Sequence, residues 1–134
     1  MAEEDKHLII PVSPLAKPRM TQRDRWKKRK CVEDYWHYRD QLRPVVTILE
    51  PLQAISLVFF IPMPVSWSKK KRQVMDLTPH RSRPDLDNYI KGFCDVFEED
   101  KEIHYIEAQK LWAIKGGITI FNYNHVTVSE GGVF

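Results

Sequence analysis

Apolar residues along this chain alternate between a strand-like rhythm and a helical one. His7-Leu8-Ile9-Ile10-Pro11-Val12 reads as a short first strand ended by proline. From Cys31 to Leu42 the residues Val32, Tyr35, Trp36, Tyr38 and Leu42 keep helical spacing, and Pro44 is expected to stop that helix. Its aromatics read as core. Ala54–Ile61 is apolar enough to predict a central strand, ended by Pro62 and Pro64. Ser66-Trp67-Ser68 opens a short helix that runs to Met75. Asp85, Asp87 and Asn88 are helix-capping types, and Tyr89, Ile90, Phe93, Cys94 and Phe97 carry helical spacing beyond them. Tyr105–Ile114 predicts a long strand, Gly116-Gly117 a hairpin turn, and Ile118–Tyr123 an antiparallel return. The order strand, helix, strand, helix, helix, hairpin predicts an α/β fold with one small mixed sheet packed by helices.

Composition narrows the picture. A chain of 134 residues suits a single domain spanning 1–134, with 1–5 and the tail 129–134 expected to be loose. No apolar run approaches a membrane span, and the charged N-terminus does not resemble a secretory signal. Cys31 and Cys94 form neither a disulfide framework nor a zinc spacing, so a reducing, cytoplasmic setting is expected. Cys94 falls in the apolar helical pattern and reads as core.

The net charge of +3 conceals a division: residues 1–83 carry +8 and residues 84–134 carry −5. Such a split suits a protein that grips polyanion with one surface and holds cations with another; it equally suits self-association of opposite faces. Lys17, Arg19, Arg23, Arg25, Lys27, Lys28, Arg29 and Lys30 place eight cations in fourteen positions around Trp26. A basic loop with one aromatic fits phosphate contacts and base stacking, and also fits a solvated loop. Lys69-Lys70-Lys71-Arg72 is a second cationic run, costly to hold together unless it is solvated or faces phosphate.

The chemistry concentrates in Arg83-Pro84-Asp85-Leu86-Asp87-Asn88-Tyr89-Ile90-Lys91. Pro84 keeps Arg83 extended, so the chain arrives straight and turns helical only afterwards. Two carboxylates two residues apart in extended chain point to one side and can share a hard cation. Lys91 follows Asp87 by one helical turn. The same residues also serve as a helix cap and a surface ion pair. An EF-hand is excluded: the loop starting at Asp85 lacks the central glycine and has Val96 at its twelfth position. There is no phosphate-binding glycine loop, no HExxH and no serine-nucleophile elbow. A carboxylate cluster beside cationic loops is what metal-dependent phosphodiester hydrolysis requires.

Pro84-Asp85-Leu86-Asp87-Asn88, Lys91, Asp95 and then Glu99-Asp100-Lys101-Glu102-Ile103 resemble the RusA-type Holliday junction resolvases, whose motif is D-x-D-N-x-x-K followed by a second acidic segment. Pro62–Arg72 with Pro79-His80 is similar to phage-borne members, and the likeness covers roughly residues 54–115. The resemblance implies a small α/β homodimer that cuts paired strands of four-way DNA junctions with Mg²⁺, in recombination and repair. It implies that Asp85, Asp87 and Asp100 are catalytic metal ligands, Lys91 the essential lysine, and Asp95 its partner at i,i+4. DNA contacts are assigned to Lys17, Arg19, Lys27, Lys28, Arg29, Lys69, Lys70, Lys71, Arg72 and Arg83. Two departures stand out: Glu99 replaces the first Asp of the second acidic pair, and only 12 residues separate Asp87 from Asp100. If the helix ran unbroken over 86–97, its ends would lie ~17 Å apart, and three further residues reach back only about 10 Å. Asp100 therefore joins the first pair only if the helix is shorter or a partner subunit supplies it.

The expected function is thus a Mg²⁺-dependent, dimeric endonuclease acting on branched DNA, with no membrane partner. A catalytically weak DNA-binding accessory protein and a self-associating structural protein are the alternatives.

Overall fold

The computed structural model describes residues 6–18, 30–49, 51–97 and 102–123. Its sheet is built around β2 (Ala54–Pro62), the strand with the longest apolar run. β3 (Tyr105–Ala113) lies parallel on one side, with Ala54 opposite Tyr105 and Pro62 opposite Ala113. β4 (Gly117–Asn122) lies antiparallel on the other, with Ile55 opposite Asn122 and Phe60 opposite Gly117. β1 (Lys6–Ile10) pairs antiparallel with β4, so the strand order is β1-β4-β2-β3. The mixed sheet and the three α-helices of the described residues make the single-domain α/β architecture that the hydrophobic pattern predicts.

The expected terminal hairpin does not form. β3 and β4 are neighbours in the chain, but β2 lies between them. The link Ile114-Lys115-Gly116 crosses two interstrand spacings, about 10 Å, which three residues can span. It stays close to the preceding loop because Gly116 has no Cβ to collide with the Ser13 side chain. β2 takes the centre because it is apolar on both faces: Ile55, Leu57, Phe59 and Ile61 are buried on one, and Val58 and Phe60 half-buried on the other. A two-sided apolar strand gains most from partners at both edges.

α1 (Lys30–Val46) buries Val32, Tyr35, Tyr38 and Leu42 at steps of three and four. Trp36, read as core, is 38% exposed, with the Arg39 guanidinium 4.3 Å from its ring centre. Pro44 sits inside the helix instead of stopping it. Only one backbone bond is forfeited so near the end, where Thr47 donates its hydroxyl to Pro44 O at 2.8 Å and a 3₁₀ turn, Thr47–Leu49, follows. α2 (Lys69–Met75) buries no residue. α3 (Leu86–Cys94) packs on the middle of the sheet, its Tyr89 and Phe93 rings 5.6 and 6.5 Å from Phe59. Cys94 is buried as expected. The core thus lies between one sheet face and α1 with α3, and Ile10, Ile55, Leu57, Phe59, Ile118 and Ile120 are among its fully buried sheet members. The opposite sheet face, carrying Ile9, Val58, Phe60, Leu111 and Phe121, stays partly open to solvent. Among the described residues no helix is long and apolar enough to cross a membrane.

Candidate functional site

The path into the acidic segment is set by β3. Ser68 caps α2, its hydroxyl accepting the Lys71 N–H at 3.1 Å. Beyond the helix Leu77 adopts a left-handed φ of 61°, a conformation costing a non-glycine residue about 1–2 kcal/mol. Backbone bonds offset it: Leu77 N–H donates to Trp112 O at 2.8 Å, Trp112 N–H to Thr78 O at 2.9 Å, and His80 N–H to Lys110 O at 3.0 Å. Residues 77–80 therefore dock along the outer edge of β3, with Pro79 opposite Leu111. The Lys110 ammonium then donates to Ser82 O at 2.6 Å and Pro84 O at 2.7 Å, clamping the loop just before the acids. The Arg83–Pro84 peptide is cis.

Asp85 is the N-cap of α3, with extended φ and ψ of −67° and 154°. Its carbonyl accepts from Asn88 N–H at 3.1 Å and Tyr89 N–H at 3.3 Å, but its carboxylate makes no capping bond. Asp87 is the second helical residue. The two acids are therefore not side by side on extended chain, as the sequence suggested; extension ends at Asp85 and the helix begins at Leu86. Both side chains are exposed at the helix end whose dipole favours negative charge. Lys91 is also exposed, one turn beyond Asp87, and forms no ion pair among the described residues.

The rear of α3 is pinned. Tyr89, Gly92, Phe93 and Cys94 are buried. The loop before α1 passes so close that a Cβ on Gly92 would lie 2.5 Å from Leu15 O and 3.0 Å from Lys17 N. Lys17 N–H donates to Asn88 O at 3.1 Å, and the Tyr35 hydroxyl donates to Gly92 O at 3.0 Å. Burial, then the nearby Asp95 carboxylate, pushes the Tyr35 hydroxyl up to about 12, so it keeps its proton and this bond. The Lys17 ammonium meets Asp95 at 2.7 Å. Asp95 is therefore the partner of Lys17, not of Lys91 as expected, and Lys17 is turned into the fold. Lys17 is carried there by its own backbone bond to Asn88 O, which lays the loop before α1 along α3.

Of the assigned DNA contacts, Lys69, Lys70 and Lys71 are exposed on α2, and Arg83 is exposed in the site loop. Arg72 is half-buried and donates to Pro64 O at 3.0 Å. Arg19, Lys27, Lys28, Arg29 and Asp100 lie outside the described residues, as do the segments expected to be loose. α3 ends at Cys94, short of 97, because Asp95, Val96 and Phe97 fold into turns whose N–H groups bond to Lys91 O, Phe93 O and Cys94 O. Nine residues make a helix of about 13 Å, shorter than the ~17 Å of an unbroken run over 86–97. Among the described residues no three acids, histidines or cysteines group as a metal site. Asp85 and Asp87 do offer uncommitted carboxylate oxygens, the donor type a hard divalent cation takes.

Lys110 escaped sequence reasoning, and so did the burial of His80, which the sequence offered only within the Pro79-His80 likeness. Lys110 stands opposite Phe59 in the β2–β3 register, on the core side of β3, where strand alternation calls for an apolar residue. A cation at such a position is the signal that would have found it. His80 is 4% exposed, its ring 4.2 Å from Trp112 and edge-on to Tyr89, with Nδ1 lacking a hydrogen-bond partner. Burial, then the Lys110 charge, holds its pKa below the ordinary 6.5. No local sequence pattern marks that burial.

No curated protein matches the chain. A family model described as Endodeoxyribonuclease RusA matches residues 11–121, from the loop behind α3 through most of β4 and across the whole site.

Proposed function

From the premise that the chain belongs to the RusA endodeoxyribonuclease family, we propose that it resolves four-way DNA junctions as a Mg²⁺-dependent homodimer. The observation that carries the reading is the pair of exposed carboxylates at positions 85 and 87, with the N-cap acid released from capping. An aspartate at that position ordinarily stabilises its own helix; here that role falls to the packing behind α3 and the oxygens stay available. Asp85 and Asp87 would hold the cation, with Asp100 as the third acid. Bound Mg²⁺ supplies Lewis-acid polarisation of a phosphate oxygen and a more acidic water. Lys91, on the same helix front, presents an ammonium where negative charge builds up on the phosphoryl group. Lys110 fixes the backbone that leads into Asp85, and so sets where the acids stand. Lys69, Lys70, Lys71 and Arg83 contact the phosphate backbone around the cut.

Resolution requires two strands to be cut, and one chain carries one acidic site, so a two-fold pair is the economical arrangement. The open sheet face supports it: Ile9 is 70% exposed and Phe121 38%, beside half-buried Val58, Phe60 and Leu111. The test is cleavage of a labelled four-way junction with and without Mg²⁺, alongside light scattering, which should give close to twice the 15.9 kDa chain mass. Asp87→Asn should abolish cutting while junction binding is kept or tightened, because the amide cannot hold the cation and no longer repels phosphate. An Asp87→Asn protein that still resolves junctions at saturating Mg²⁺ would sink the assignment.

A further inference from the structure

Between α2 and the end of β3 lies an open cleft of about 400 Å³, lined by Trp67, Lys71, Met75, Arg81, Ser82 and Trp112 among others. The Trp67 and Trp112 rings stand 4.8 Å apart at 56°, and the Lys71 ammonium sits 4.2 Å from the centre of the Trp67 ring. His80 backs Trp112 from behind. Anchoring of α2 accounts for the tilted indole pair. It does not account for the open space beside the pair, nor for the ammonium and guanidinium on its walls. Among the described residues no acidic side chain lines the cleft.

Resting on the reading that this protein cuts branched DNA, we propose that the cleft receives one unpaired nucleobase, stacked on Trp67, while Lys71 and Arg81 hold the phosphates flanking it. Every base has a π-face, so an indole platform with cations beside it binds unpaired strand with little regard to sequence. Lys71 shows that the ring face is within reach of a cation, and a flexible ammonium is readily displaced by a base. The wall continues directly into the site: Ser82 lines the cleft and Asp85 follows three residues later. That length of chain spans at most ~10 Å, about three nucleotide steps at ~3.4 Å. At a branch point base stacking is already interrupted, so lifting out a base there costs least. The cleft would thus let one domain tell a junction from plain duplex.

The test uses the full chain and fluorescence anisotropy with single-stranded and duplex oligonucleotides of equal length, at one salt concentration and without Mg²⁺. Trp67→Ala should weaken single-strand binding about tenfold and duplex binding less than about twofold. Lys71→Ala should weaken both, since phosphate contacts do not depend on pairing. Ser82→Phe fills the cleft from the loop side with both indoles left in place, and should reproduce the selective loss even if Trp67→Ala folds poorly. Parallel loss on both DNAs with Trp67→Ala, or undiminished single-strand binding with Ser82→Phe, would overturn the cleft assignment. Junction cleavage by the wild type is scored separately. If cleavage is intact while the selective loss is missing, only the cleft falls; absence of all DNA binding and cutting removes both readings.

Discussion

α2 and α3 follow one another in the chain, are seven and nine residues long, and start just after Ser68 and Asp85, yet they are held in opposite ways. α2 buries no residue fully and starts on its serine cap, so Lys69, Lys70 and Lys71 face outward, while Arg72 is half-buried against Pro64 O. α3 leaves its cap carboxylate idle and is gripped from behind, around Gly92, by Leu15, Lys17 and Tyr35. A side chain can serve a ligand only when something else does its structural work. On α2 that work is done at the helix end, and on α3 at the rear.

The contrast can be broken experimentally. The largest effect is expected where α2 meets DNA. Replacing Lys69, Lys70, Lys71 and Arg72 together with alanine should lower affinity for any DNA on the order of 100-fold and flatten the salt dependence, since up to four phosphate contacts go. Stability, read by urea denaturation, should move by no more than about 1.5 kcal/mol, because no fully buried side chain is touched and only the Arg72 bond to Pro64 O is lost. An unchanged slope of log affinity against log salt would make these residues solvated surface only. Next comes the rear of α3. Gly92→Ala gains up to about 1 kcal/mol in helix propensity, but forces its new carbon into Leu15 O and Lys17 N, for a net loss of about 2 kcal/mol. A variant as stable as the wild type in the same denaturation would show that α3 is not held from behind.

The smallest effect lies in the loop joining the two helices. His80 is buried with its pKa lowered, so protonation is resisted in the folded chain and not in the unfolded one. Stability that is fully present above the unfolded pKa of 6.5 should therefore decline as pH falls below it. His80→Gln should flatten that decline between about pH 7 and pH 5, a window above the usual carboxylate titrations. Equal slopes for the two proteins would assign the pH dependence to other groups.

Much of this arrangement is legible in the sequence wherever the cause is local. β2 ends in proline and is apolar but for Ser56, α2 follows a serine cap, and the stripe through Tyr89 and Phe93 marks the buried side of α3. Lys91 could be placed one turn beyond Asp87 because helical spacing fixes which residues share a face, whereas the start of the helix at Leu86, between the two acids, was not legible. What could not be read depends on distant partners. Lys17 and Asp95 are 78 residues apart, and Lys110 reaches back 26 and 28 residues to the loop carbonyls. A glycine pair between two strands reads as a hairpin, but the choice of neighbour is made by β2, whose two apolar faces outcompete a local return.

That insertion of β2 also shapes how the chain reaches its native state. β4 is the bridge between β1 and β2, pairing Lys6–Ile10 with residues more than a hundred positions later. The sheet therefore cannot grow by successive hairpins: β1 has no strand partner, and β2 keeps one bare edge, until residues 117–122 are in place. Such long-range closure raises contact order and slows folding compared with a sheet of local hairpins of equal size. During that interval the central strand is a two-sided apolar ribbon with an unpaired edge, the kind of surface that associates with another copy of itself. The strand that makes the core is thus also the point at which a newly made chain is most exposed to misassembly.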